Sequence, residues 1–155
     1  MLRTITGIDI DILLREARKA ENKRANLFIH KPEEVLQRTL TALLSGTYLR
    51  PQKHDDVVLL TILRGTIAVL HFDELGKVEE IIKLEAQGDT KIVDIAPYTY
   101  YTLIPLESSI ILQIIQGVAI EEGQRQFASW SPEESNAKMG DFLMYLTSIV
   151  ENWKL

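Results

Sequence analysis

Between Gly46 and Gly65 the chain sets Gln52, His54 and Val58 at a spacing that could gather three ligands around one metal ion. Two imidazoles one residue apart on a strand point to the same face, because side chains alternate with period two, and a carboxylate four residues on can join them. Here the first position is an amide, a poor ligand for transition metals, and the third is an aliphatic side chain with no donor atom. Only His54 keeps a metal-binding group. The residues therefore predict the frame of a metal site without the site.

If Gln52 and His54 face inward, the same alternation puts Tyr48 and Arg50 on that face. An arginine there could hold a carboxylate or phosphate through two parallel hydrogen bonds, and a histidine beside a tyrosine could move protons near neutral pH. The alternative is that these groups satisfy one another's hydrogen bonds and do nothing else. His30 and His71 are isolated in sequence and are expected to be surface or structural residues. Glu79-Glu80 and Glu121-Glu122 are adjacent pairs, which a strand sends to opposite faces, so solvated edges are expected. Lys53-His54-Asp55-Asp56 strings ligand types in a row that cannot easily converge on one ion. No phosphate-cradling glycine loop, nucleophile elbow or zinc spacing is present.

The Gly46 to Gly65 spacing resembles the first motif of the cupin superfamily. Arg24-Ala25-Asn26-Leu27, Gly46-Thr47-Tyr48-Leu49-Arg50-Pro51, Leu63-Arg64-Gly65 and Phe127-Ala128-Ser129-Trp130-Ser131-Pro132 together resemble the WbuC-type cupins, small proteins often associated with surface-polysaccharide genes. The resemblance runs from about Arg24 to Pro132. It implies a cupin-type double-stranded β-helix, a jelly-roll barrel, and usually a bound metal. The second motif of that family is matched by Ala96-Pro97-Tyr98-Thr99-Tyr100-Tyr101-Thr102-Leu103, where Tyr101 stands for the last histidine ligand and Tyr98 for a turn glycine. Gln113, followed by Gly117-Val118-Ala119, occupies the place of a Glu and a Gly-Pro-Tyr stretch. A neutral phenol with an ordinary pKa near ~10 is a poor ligand. No metal and no other cofactor is expected, and the resemblance brings Tyr101 and Gln113 into one candidate ligand-binding set with Tyr48, Arg50, Gln52 and His54.

The elements that must position these groups are short. With 155 residues, 46% hydrophobic and 25% charged, the chain is expected to form a single domain, 1–155. A formal charge of −5 without a basic run argues against nucleic acid or an anionic membrane as partner. The absence of cysteine excludes disulfides and thiol catalysis. Residues 1–20 lack the apolar core of a signal peptide, so the cytoplasm is the expected compartment, and the longest apolar run, 57–63, is too short to span a bilayer.

Ile10, Leu13, Leu14 and Ala17 recur at helical spacing, with Asp9 or Asp11 as cap, which predicts a short helix in an N-terminal arm, 1–30. The barrel is expected over 31–118. Residues 33–44 fit a helix or a strand, and the family resemblance favours strand. Segments 57–63, 66–72, 78–84, 90–95, 100–104 and 109–115 read as strands separated by turn residues. Ser131-Pro132-Glu133-Glu134 has the look of a capped helix start, and Phe142, Leu143, Tyr145, Leu146, Ile149, Val150 and Trp153 then predict an amphipathic helix over 131–154. Packing on the barrel is its expected role, and a homodimer contact is the alternative.

Three functions follow. The first is a metal-free binder of a small polar ligand, plausibly sugar-related, in the barrel. The second is a metal-independent sugar isomerase or epimerase in which His54 abstracts a proton and Tyr101 returns one. The third is a structural or dimerising interaction protein. A conventional metal enzyme would need Asp55 or Asp56 to replace the lost ligands.

Overall fold

The computed structural model describes residues 1–118 and 125–153. Among these residues ten strands form two five-stranded antiparallel sheets, with a helix near each end of the chain. The first sheet has the order β1 (Arg24–Phe28), β2 (Leu36–Leu43), β9 (Ser109–Gln116), β4 (Val58–Arg64), β7 (Ile92–Ile95). The second runs β10 (Arg125–Phe127), β3 (Gln52–His54), β8 (Tyr100–Pro105), β5 (Thr66–Phe72), β6 (Val78–Glu85). Among the described residues no helix is long and apolar enough to cross a membrane.

Strand pattern and burial explain which parts were readable. Val58, Leu60 and Ile62 from one sheet meet Ile67, Val69, Leu84 and Leu103 from the other in a core between the layers. The six segments expected as strands between 57 and 115 all form. Residues 36–43 pair with β1 and β9, which settles the ambiguity at 33–44 in favour of strand. Leu40 and Ala42 pack under the N-terminal helix while Leu43 faces the inter-sheet core, so both faces of β2 are covered. A strand buried on both faces loses its alternation and mimics a helix in periodicity. Two short edge strands, β1 and β10, carried no such signal and add to the sheets.

The N-terminal helix, α1 (Gly7–Lys19), starts at Thr6 rather than at Asp9 or Asp11. Thr6 is extended, its hydroxyl accepts from the Asp9 amide, and the Asp9 carboxylate accepts from the Thr6 amide at 2.7 Å. Asp9 is thus the third helical residue of a reciprocal cap. Leu13 and Ala17 bury α1 against Leu40, Ala42 and Ile110.

The C-terminal helix, α2 (Met139–Asn152), corrects the expectation that Ser131 opens it. The segment is tied to the barrel instead. Ser131 Oγ donates to Ala128 O at 2.7 Å, Pro132 O accepts from the Tyr48 hydroxyl at 2.7 Å, and Glu134 pairs with Arg24 at 2.7 Å. Ser135 then takes a left-handed conformation, φ 70°, which no helix continues through. From Met139 on, the helix packs Phe142, Leu143, Leu146, Ile149, Val150 and Trp153 against Phe72, Ile81 and Ile104 on the outer face of the second sheet. Tyr145 points away and is 55% exposed. Residue 154, the expected end of this helix, lies outside the described residues.

Candidate functional site

Register across the second sheet brings together residues that are far apart in sequence. Phe127 is opposite Gln52, Gln52 opposite Tyr101, Tyr101 opposite His71, and His71 opposite Glu80. Arg125 is opposite His54 in the neighbouring row. Directly opposed residues point to the same face, so these side chains form a polar band across five strands. Tyr101 also belongs to the inter-sheet core with Val69 and Leu103, which fixes that face as the interior.

At the centre of the band Tyr101 Oη lies 3.2 Å from His54 Nε2, and Gln52 Nε2 lies 3.5 Å from the same hydroxyl. The His54 and Tyr101 rings stack with centroids 6.0 Å apart. Tyr101 is 3% and His54 7% exposed. Burial pushes the Tyr101 phenol up to about 12. Burial also holds the His54 imidazole below its ordinary value, and the Arg125 guanidinium adds to that effect. Both groups are therefore neutral at pH 7, and in the tautomer that carries its proton on Nδ1 the imidazole accepts from the phenol. Tyr101 has one proton to give, and Gln52 Oε1 is left buried without a partner.

Tyr48, Arg50 and Gln113, expected in this cluster, are engaged elsewhere. The Tyr48 hydroxyl is spent on Pro132 O, and burial raises its pKa to about 12. Arg50 donates from Nε to Ser131 Oγ at 3.1 Å and from Nη2 to Ala128 O at 3.2 Å. Strand β3 covers only Gln52–His54, so the alternation does not extend back to residues 48 and 50. Gln113 donates to Thr41 Oγ1 at 2.9 Å in the other sheet.

The weaker candidates divide. His30 accepts from the Arg38 amide at 2.8 Å, a structural role. Lys53 faces away from His54, with Nζ 4.5 Å above the Tyr100 ring centre. Asp56 accepts from the Val57 amide at 2.8 Å. Glu79 and Glu80 are both exposed, but Glu80 borders a cavity. The Glu121-Glu122 pair lies outside the described residues. His71 is the residue that sequence reasoning passed over. Its signal was available in the alternation Ile67, Val69, His71 along a strand expected at 66–72.

His71, Glu80, Tyr101, Asp94 and Thr99 give the polar side of a cavity of about 230 Å³, and Val69, Ile82, Val93 and Ile95 give its apolar side. The cavity sits where β6 of one sheet approaches β7 of the other. Among the described residues its lining includes no lysine or arginine.

A divalent cation does not fit this donor set. Of the motif positions, Val58 is sealed in the core at 1% exposure, Gln52 presents an amide N–H to Tyr101, Tyr101 keeps its proton, and His54 Nε2 faces that hydroxyl. Among the described residues no three His, Cys, Asp or Glu side chains come close enough to hold a metal ion. We expect that overnight EDTA treatment leaves the melting temperature unchanged. A fall of several degrees, restored by zinc, iron, manganese or nickel, would show a site formed by other residues.

The family model for a domain of unknown function, DUF6016, matches residues 5–84, just over half of the chain. No curated protein matches. Among solved structures, a cupin superfamily protein from Desulfitobacterium hafniense is similar with a TM-score of 0.52 and 16% identity, over 63% of this chain and 80% of that one. Salicylate 1,2-dioxygenase from Pseudaminobacter salicylatoxidans is similar with a TM-score of 0.55 and 15% identity, over 71% of this chain and 33% of that one. Oxalate decarboxylase from Bacillus subtilis is similar with a TM-score of 0.52 and 15% identity, over 67% and 27%. This chain spans a third or less of the length of those two enzymes. Such likeness shows the fold, a mainly β jelly roll of cupin type. The chain belongs to the family described as a domain of unknown function, DUF6016.

Proposed function

We propose that this protein is a cupin-fold binding protein, of WbuC-like type, that works without a metal and takes a small, sugar-related ligand in the cavity beside Tyr101. The observation that carries the reading is the cavity itself, with His71, Glu80, Asp94 and Thr99 on one side and Val69, Ile82 and Val93 on the other. A saccharide needs both, hydrogen-bonding groups for its hydroxyls and an apolar wall for its ring faces. Pockets for drug-sized ligands measure roughly 300–1,000 Å³, so about 230 Å³ suits a single sugar ring rather than an oligosaccharide. Glu80 and Asp94, unopposed by any cation in the lining, favour a neutral ligand over a carboxylate or phosphate in this space.

A metal-independent sugar isomerase or epimerase, in which His54 abstracts a proton and Tyr101 returns one, gains no support from a pair already in contact with each other at 3.2 Å. Binding without turnover is the simpler reading.

Thermal shift against neutral monosaccharides tests it. A ligand at one hundred times its Kd stabilises by about 2.7 kcal/mol, which for a chain of this size raises Tm by roughly 5–10 °C. The cavity-filling change Val69→Phe should abolish the shift, and the exposed change Glu80→Gln should reduce it without disturbing the fold. Failure of every neutral sugar to move Tm, or a shift that survives Val69→Phe in a folded variant, would reject the cavity as the site.

A further inference from the structure

On the other side of Tyr101 the polar band ends in a concentration of positive charge. The Arg125 guanidinium lies 4.5 Å from the Phe127 ring centre and that of Arg50 lies 5.0 Å from the same centre. Although Arg125 is exposed as a residue, partial desolvation of its guanidinium disfavours its proton, and the nearby Arg24 adds to that. Two guanidiniums thus flank one exposed aromatic ring and a third, that of Arg24, lies near Arg125, on a chain whose formal charge is −5. Against them stands Glu134, which is paired with Arg24 at 2.7 Å. Arg50 spends its bonds on neutral oxygens, Ser131 Oγ and Ala128 O, and among the described residues Arg125 has no carboxylate within ion-pair distance.

Like charges gathered this way repel one another unless an anion is shared between them, and a guanidinium fork matches the paired oxygens of a carboxylate or phosphoryl group. The field is felt inside the barrel, because Arg125 is one cause of the lowered His54 affinity for protons. This placement differs from the cavity beside His71 and Glu80, which holds acidic groups and no cation.

We propose that Arg50 and Arg125, held against the Phe127 ring beside Arg24, form an anion-binding site at the β10–β3 edge that takes the phosphoryl or carboxylate group of a small molecule. Arg125 is its main electrostatic anchor. Arg50 contributes charge while it keeps the Ala128 to Ser131 turn in place.

The test uses the full chain at low ionic strength, about 10 mM, where exposed charges are weakly screened. Inorganic phosphate is titrated and followed by phosphorus NMR line broadening, with chloride at matched ionic strength as the control. The expected result is saturable broadening in the millimolar range that chloride does not displace, weakened roughly tenfold in Arg125→Gln. Arg125 sits in a short, exposed edge strand, so this variant should fold, and an unchanged far-UV spectrum and Tm would verify that. Glucose 6-phosphate binding more tightly than inorganic phosphate would mark the anion as part of a sugar phosphate, whereas equal affinity would mark a free anion. Val69→Phe should leave phosphate binding intact, so failure of the cavity reading and failure of this one are separable. Equal broadening in wild type and Arg125→Gln, or full displacement by chloride, would overturn the proposal.

Discussion

Gly65→Ala should destabilise the protein by about 3 kcal/mol or more and lower Tm by roughly 10 °C, the largest effect of any single methyl group considered for this fold. Gly65 sits between β4 and β5 with φ +83°, a conformation that costs an alanine about 1–2 kcal/mol. Its added Cβ would also lie 2.6 Å from the Ser108 carbonyl oxygen and would collide with Ser109 Oγ. Neither neighbour can yield cheaply. The Ser109 hydroxyl accepts from the Thr66 amide at 3.1 Å and donates to Glu107 O at 2.8 Å, while Gly65 O accepts from the Ala86 amide at 2.9 Å. Displacing the turn therefore disturbs three strands at once.

Gly140→Ala is the control, because it adds the same methyl group in the first turn of α2 with nothing within 4 Å. That variant should gain about 0.5–1 kcal/mol from helix propensity. Chemical denaturation of both variants against wild type measures the contrast. Equal stability of Gly65→Ala and wild type would mean that the turn relaxes in a way this packing forbids.

The same glycine shows why the fold was legible where the chemistry was not. Gly46 and Gly65 both have left-handed backbones, at φ +87° and +83°, and a backbone requirement of that kind persists whether or not a metal is bound. The motif frame could therefore be read from two glycines after two of its three metal ligands were gone. Tyr98 makes the converse point. It stands at an expected turn glycine, still has φ +60°, and its amide donates to His54 O at 2.7 Å, so the turn survives on a residue that adopts it under strain.

What escaped the sequence depends on register. No local pattern shows that Glu80, His71, Tyr101, Gln52 and Phe127 share one row, because their alignment comes from pairings between strands up to dozens of residues apart. A bulge between His71 and Phe72 in the β5–β6 ladder also shifts the pairing near Glu80. Likewise, Ser131 to Glu134 carries the composition of a helix start, yet its polar groups find stronger employment on Tyr48, Arg50 and Arg24, and the helix begins only at Met139. Local propensity gave way to tertiary hydrogen bonds.

The pH dependence of stability should carry a distinct contribution from His54. In the folded chain its imidazole resists protonation, first through burial and then through Arg125, with Asp55 opposing the shift weakly. In the unfolded chain it titrates near ~6.5. Above that value both states are neutral and His54 contributes no slope. As pH falls below it the unfolded state takes up a proton that the folded state does not, so stability is lost, at no more than about 1.4 kcal/mol per pH unit, until the folded pKa is passed. Carboxylates with lowered values, such as Asp73, act at lower pH, below the ordinary aspartate value of ~3.9, which leaves the interval just below neutrality to histidine.

His54→Gln preserves a hydrogen-bonding side chain beside Tyr101 and removes the titration. Between pH 7.5 and pH 5 the wild-type urea midpoint should therefore fall further than that of His54→Gln, because only the wild type keeps a buried imidazole that resists the proton its unfolded state takes up. Arg125→Gln should move the wild-type curve partway toward the same behaviour, because removing the nearby cation lets the folded imidazole accept its proton more readily. Identical pH slopes in wild type and His54→Gln would mean that His54 is not the neutral acceptor of the Tyr101 proton. A shallower slope in His54→Gln without any change in Arg125→Gln would place the guanidinium too far from the barrel interior to govern what binds there.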